Sequence, residues 1–181
     1  MILEKELKIL NINSEKIIKK LMKFWAEKTF DGDIHDTYYD FDDIALDKIK
    51  MSLRIRNKAE CNLYTIKKKI PDEKIKICTE IEHPIECLET YKWRLDKHWL
   101  VINREKKKHR KSYKIWEIVF DIDFYEKYPP LLEIEAHNES EIFDWVKKLK
   151  LQNHVHKKCG YRGLVRYYDK LEKENKKLLK K

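Results

Sequence analysis

Glycine and proline are scarce, with three and four residues in 181. Glycine is too thinly spread to build a Gly-rich phosphate loop, which excludes the common nucleotide cradle of that type. The four cysteines, Cys61, Cys78, Cys87 and Cys159, are dispersed and lack close zinc spacing. They are expected to be reduced residues of the core or surface, without a disulfide framework or a zinc site. The seven histidines are equally scattered, and His154-Val155-His156 has no cysteine nearby, so a packing or surface role is expected. No apolar run approaches the roughly 20 residues needed to cross a bilayer. No apolar signal segment precedes the opening residues either, and the expected location is cytoplasmic, with no membrane partner.

Charge is abundant. Charged residues make up 40% of the chain beside 42% hydrophobic ones, and the formal net charge is +9. Residues 104–114 hold seven Lys or Arg against one Glu, and residues 170–181 hold six against two. Such patches attract polyanions of any size. No zinc finger or recognition-helix pattern accompanies them, so nucleic acid is disfavoured as the principal ligand. Length and the absence of a linker or tandem repeat imply one domain over 1–181, ending in a basic helical extension at 163–181.

The informative pattern is alternation. In Glu4-Lys5-Glu6-Leu7-Lys8, a strand would place Glu4, Glu6 and Lys8 on one face and Leu3, Leu7 and Ile9 on the other. The same spacing returns in Arg54-Ile55-Arg56, Lys67-Lys68-Lys69, Glu80-Ile81-Glu82, Lys108-His109-Arg110, Asp121-Ile122-Asp123 and Glu133-Ile134-Glu135. Like charges in a row are costly unless opposite charges or ligands face them. A closed antiparallel barrel meets that need, with a charged lumen and an apolar exterior covered by helices. Lys and Arg suit phosphoryl oxygens, and paired carboxylates suit Mg²⁺ or Mn²⁺. The acidic and basic sets balance at seven each, counting Glu4, Glu6, Glu80, Glu82, Asp123, Glu133 and Glu135 against Lys8, Arg54, Arg56, Lys67, Lys69, Lys108 and Arg110.

Glu4-x-Glu6-x-Lys8 resembles the signature of the CYTH superfamily, also called triphosphate tunnel metalloenzymes. The likeness continues in order through Tyr38-Tyr39-Asp40, Leu53-Arg54-Ile55-Arg56, Thr65-Ile66-Lys67, Glu80-Ile81-Glu82, Lys108-His109-Arg110 with Tyr113, and Asp123 before Glu133-Ile134-Glu135. The resemblance implies an α+β fold, a closed eight-stranded antiparallel β-barrel tunnel with a charged lumen and external covering helices. It implies a triphosphate-containing small molecule as substrate and Mg²⁺ or Mn²⁺ as cofactor. The expected reaction is hydrolysis of inorganic triphosphate to pyrophosphate and phosphate. Alternatives are a class IV adenylate cyclase making cyclic AMP from ATP, and a protein that binds or processes polyphosphate or RNA 5′-triphosphate. The seven carboxylates above become expected metal ligands. Lys8, Tyr39, Arg54, Arg56, Lys67, Lys69, Lys108 and Arg110 become expected substrate contacts, and Glu4, Glu6, Lys8, Glu133 and Glu135 the expected catalytic group. The resemblance also allows a homodimer. Two choices stay open: Asp121 shares the face of Asp123, and Arg104 and Lys106 replace Lys108 and Arg110 if that strand is offset by four residues.

Periodicity and breaker residues predict helices over 15–28, 85–94, from Ser140 to Lys150, and over 163–181. Asp31-Gly32-Asp33 reads as a turn ahead of a strand at 34–41. Strands are expected at Met51–Arg56, Cys61–Lys69, 75–82, 99–110, 112–123 and Leu131–Ala136, with Pro84 ending the third of this series.

Overall fold

The computed structural model describes residues 2–59, 61–72 and 74–178. In chain order its elements are β1 (Ile2–Ile9), α1 (Ser14–Lys23), β2 (Glu27–Asp40), α2 (Ala45–Lys48), β3 (Met51–Lys58), β4 (Cys61–Ile70) and β5 (Lys76–Ile85). There follow α3 (Leu88–Lys97), β6 (Val101–Ile115), β7 (Ile118–Tyr125), β8 (Tyr128–Ala136), α4 (Glu139–Lys148), β9 (His156–Lys157) and α5 (Tyr161–Leu178). All ladders are antiparallel, in the order β5-β4-β3-β2-β6-β7-β8-β1, and pairing of β1 with β5 closes an eight-stranded barrel. β1 serves both neighbours in turn: Ile2–Glu6 face β5, while Lys5–Ile9 face β8. The two residues of β9 extend the ladder beside Lys8 and Ile9.

The outward faces of β1, β7 and β8 are largely apolar and covered, whereas β2 and β6 carry the exposed Asp33 and the part-exposed His109 on theirs. Leu7, Ile9, Phe120, Ile122 and Ile134 pack under Ile17 and Leu21 of α1 and Ile142, Trp145 and Val146 of α4. Phe120 is fully buried, with its ring 4.9 Å edge-on from Trp145. Leu95 of α3 covers Tyr39, Leu53, Ile55 and Ile85, and Leu164 of α5 packs on Leu10 and Leu131. The barrel thus buries hydrocarbon outside its wall and leaves charge for the inside.

Several boundaries differ from the sequence expectation. α1 ends at Lys23, because Trp25 takes a left-handed backbone (φ 61°) and the Ala26 N–H returns to Leu21 O at 3.2 Å, turning the chain into β2. Asn13 caps its start, accepting from the Lys16 N–H at 2.9 Å. Asp31-Gly32-Asp33 is not a turn but the middle of a ladder, opposite Lys111, Arg110 and His109. Cross-strand charge overrides the local turn signal, since His109 bonds Asp31 and Asp33 at 2.9 Å each. Pro84 stays in β5, opposite Leu63. β5 pairs with β1 only up to Glu80, so among the described residues the proline ring meets no second ladder, and α3 starts later than expected. β6 runs to Ile115, and Trp116 (φ 51°) forms the turn, not the strand. α4 starts at Glu139, not Ser140: Glu141 accepts the Asn138 N–H at 3.2 Å. α5 starts at Tyr161 and includes Gly163; the expected residues Leu179–Lys181 lie outside the described residues.

Candidate active site

The inward faces of the strands enclose a cavity of about 720 Å³. Fourteen of the fifteen residues expected at the site border it: Glu4, Glu6, Lys8, Arg54, Arg56, Lys67, Lys69, Glu80, Glu82, Lys108, Arg110, Asp123, Glu133 and Glu135. Alternation explains this directly, for neighbours that share a strand stand two residues apart and so on one face. Tyr39 is the correction. It faces outward into the cluster with Leu53 and Leu95, and its neighbour Tyr38 borders the cavity instead. The residue step of two decides which of two adjacent tyrosines turns inward, and the register opposite Arg54 and Arg104 selects Tyr38.

The open choices resolve without a choice. β6 is long enough to present Arg104, Lys106, Lys108 and Arg110 to the cavity together, and Asp121 stands there beside Asp123. The side chains form a dense ionic lattice. Lys67 binds Glu4 at 2.5 Å and Glu80 at 2.8 Å; Lys8 binds Glu133 at 2.5 Å and also Glu6, which Lys76 reaches at 2.9 Å. Arg110 grips Asp123 at 2.5 and 2.8 Å and also bonds Asp121, while Lys108 reaches Asp123 at 2.6 Å. Ser112 donates to Asp121 at 2.6 Å. Arg54 donates to Thr65 Oγ1 at 3.1 Å, and Thr65 passes its own hydrogen to Glu82 at 2.9 Å.

Electrostatics divide the wall. Burial raises the Glu6 carboxyl and so does Glu133, but Lys76, Lys8 and Lys67 overcome both and bring it down to about 2. Asp123 likewise falls to about 2, burial being outweighed by Arg110 and Lys108. Glu135 goes the other way, to about 8, because burial and then the nearby Glu4 and Glu133 disfavour its charge. Tyr38 is brought down to about 7: burial opposes ionisation, but Lys106 and Arg54 favour it more strongly. Lys108 lies well below the ordinary lysine range through burial and repulsion by Arg110, against the pull of Asp123.

The sevenfold balance expected from the alternation is overturned. Among the described residues, fourteen Lys or Arg and nine Asp or Glu border the cavity. Lys76 shares the parity of Glu80 on β5 and was legible in principle. Arg162 and Arg166 come from α5, and Lys50 from the approach to β3, where no strand alternation announces them. Arg162 ties α5 to Asp47 and Asn103 at 2.7 Å each. Asp36, also missed, is wholly buried behind the cationic wall.

Among the described residues no group of three or more His, Cys, Asp or Glu side chains stands in a metal-holding arrangement, since most carboxylates engage ammonium or guanidinium groups. The donor chemistry nevertheless fits a hard dication. Glu135 has no hydrogen-bond or ion-pair partner among the described residues, and burial, with Glu4 and Glu133 nearby, disfavours its charge. A hard cation would remove that conflict with oxygen ligands alone.

The model of the CYTH domain family matches residues 3–168. The chain belongs to the CYTH family. No curated protein sequence matches it significantly. Among solved structures, the PH1819 protein from Pyrococcus horikoshii OT3 is 26% identical with a TM-score of 0.71, covering 91% of this chain and 99% of its own. An adenylate cyclase candidate from Vibrio parahaemolyticus is 18% identical, TM-score 0.73, covering 90% and 97%. HpAC1 of Hippeastrum, an adenylyl cyclase candidate with a dominant triphosphatase activity, is 13% identical, TM-score 0.65, covering 92% and 96%. No helix among the described residues is long and apolar enough to cross a membrane.

Proposed function

We infer that the protein is a divalent-metal-dependent triphosphatase, acting on inorganic triphosphate to give pyrophosphate and phosphate. The observation that carries this reading is the excess of cations over carboxylates around one cavity inside a CYTH barrel. A free polyanion uses such a wall along its whole length, whereas a nucleoside or thiamine group would leave part of it without a partner. The fold admits this chemistry, as the triphosphatase activity of HpAC1 illustrates.

In the proposed cycle Arg54, Arg56, Lys67, Lys108 and Arg110 hold the phosphoryl oxygens, with Lys69 at the exposed mouth. Glu4, Glu6, Glu133 and Glu135 would hold Mg²⁺ or Mn²⁺, with Glu80, Glu82 and Asp123 supporting them. The bound cation would offset charge on the substrate and on the transition state. Glu4 or Glu6 orients the water that attacks the terminal phosphorus, and the leaving pyrophosphate stays on the guanidinium groups until release. Lys8, held between Glu6 and Glu133, stays charged and acts as a phosphate contact.

The test is product analysis. Purified protein is incubated with Mg²⁺ or Mn²⁺ and, separately, inorganic triphosphate, ATP, thiamine triphosphate and triphosphate-ended RNA, and every phosphorus-containing product is identified. Pyrophosphate and phosphate from inorganic triphosphate, at the highest kcat/KM of the panel, are expected. Cyclic AMP from ATP would replace this reading with the cyclase, and stoichiometric binding without turnover would replace it with a binding protein.

A further inference from the structure

Asp36 is 0% exposed and lies on β2 between two cationic strands. Its register partners are Arg56 on β3 and Lys106 on β6. The Arg56 guanidinium donates to both carboxylate oxygens, at 2.7 and 3.2 Å, and Lys106 Nζ lies 2.6 Å from Oδ2. Arg54 Nε is 3.8 Å from Oδ1. The three cations all border the cavity; Asp36 does not. Burial raises its carboxyl, but Lys106, Arg54 and Arg56 hold it far below the ordinary range, so it is an anion.

One buried carboxylate therefore gathers three cations from two strands. Among the described residues the pairing leaves donors free: Arg56 uses Nε and Nη2 on Asp36, keeping Nη1, and Lys106 Nζ, in ion-pair contact with Oδ2, has three hydrogens to share. The buried Arg54 Nε has no hydrogen-bond partner at all among the described residues. Without an anion behind them, three cations this close repel one another and lose their fixed rotamers. We propose that Asp36 is a positioning residue, which locks Arg54, Arg56 and Lys106 into one preset face for a polyphosphate chain. This rests on the triphosphate reading above, and it makes the arrangement of the cations, not their number alone, the source of productive binding.

The alternative is a simple counter-charge, and the two differ in sign. If Asp36 only cancels charge, its removal tightens anion binding; if it positions, its removal weakens it. The experiment measures kcat and KM for inorganic triphosphate, and calorimetric affinity for inorganic triphosphate without metal, in wild type, Asp36→Asn, Arg56→Gln/Lys106→Gln and the triple variant. Asp36→Asn is expected to lower kcat/KM and affinity by roughly 10- to 100-fold, the scale of a misplaced binding group. In the background lacking Arg56 and Lys106, the same change is expected to cost less than about threefold, because two of the three groups it acts through are gone and only Arg54, the most distant at 3.8 Å, remains. Tighter binding by Asp36→Asn, or an equal loss in both backgrounds, overturns the proposal. Should Asp36→Asn lose its cooperative melt, Lys106→Gln is compared with Asp36→Asn/Lys106→Gln, where one cation leaves with the carboxylate. A further loss of about tenfold there supports positioning of the remaining arginines, and equal activity overturns it. A wild type that binds triphosphate but does not hydrolyse it removes the hydrolase reading alone, and the comparison is then read on affinity. A wild type that binds no triphosphate overturns both.

Discussion

Arg110 holds three carboxylates at once: Asp121 and Asp123 on β7, and Glu133 on β8 at 3.7 Å. Its pKa is driven upward by those anions against the opposing effect of burial, so the guanidinium is a fixed charge. Replacing it with Met preserves much of the stem and strands buried carboxylates, a defect worth about 3–5 kcal/mol of folding stability. Urea melts of Arg110→Met should show that loss; a shift below about 1 kcal/mol would mean that the carboxylates find other partners. Glu4→Gln and Glu6→Gln test the chemistry. Each should reduce triphosphate turnover, with partial rescue at high Mg²⁺ or Mn²⁺, and the double variant should be nearly inactive. The ion pairs change what the alternation implied for stability. Glu4 serves Lys67, and Glu6 serves Lys8 and Lys76, so removing these carboxylates should lower the metal-free melting temperature instead of relieving repulsion. Full activity in a folded double variant would remove both from the mechanism.

At the scale of elements, the long β2–β6 ladder decides how the cationic strand is presented. His109 bridges from β6 to Asp31 and Asp33 of β2, and those hydrogen bonds, chiefly the one to Asp33, raise its pKa above the ordinary histidine value. A histidine raised on folding contributes stability that is complete below its unfolded pKa of about 6.5 and is lost as pH climbs through the higher folded value. The urea midpoint should therefore fall as pH rises from about 6 to 8, and His109→Gln should flatten that slope. The ring is 40% exposed, so solvent screening keeps the effect to under about 1 kcal/mol. An unchanged slope in His109→Gln would show that the bridge carries no linkage. The same ladder explains a misread element: Asp31-Gly32-Asp33 has turn composition, but pairing with β6 supplies hydrogen bonds and opposite charge that an isolated turn lacks.

For the whole molecule, the cation excess of the cavity makes up a large part of the chain's net charge of +9. Inorganic triphosphate should raise the melting temperature, contributing about 2.7 kcal/mol at a hundredfold excess over Kd, and the gain should shrink with added salt. Sulfate at equal ionic strength should give a smaller shift. An equal shift from both anions would indicate general screening of the cavity and no fitted site.

The sequence by itself determined the period-two charge code, and with it the barrel, its charged inside and most of the cavity wall. A residue step of two obeys no partner, so Glu4, Glu6, Arg54, Arg56, Glu133 and Glu135 were legible from their own strands. Only tertiary structure decided register and closure. Which of Tyr38 and Tyr39 turns inward, that Asp36 falls between Arg56 and Lys106, and that Asp121 joins Asp123 on Arg110 all depend on which strand lies alongside and at what offset. The contribution of α5 depends on where a helix remote in sequence comes to rest, fixed by Leu164 against Leu10 and Leu131 and by Arg162 on Asp47. Alternation is a local property of one strand, whereas ion pairing and hydrophobic docking are sums over neighbours that a linear chain does not name.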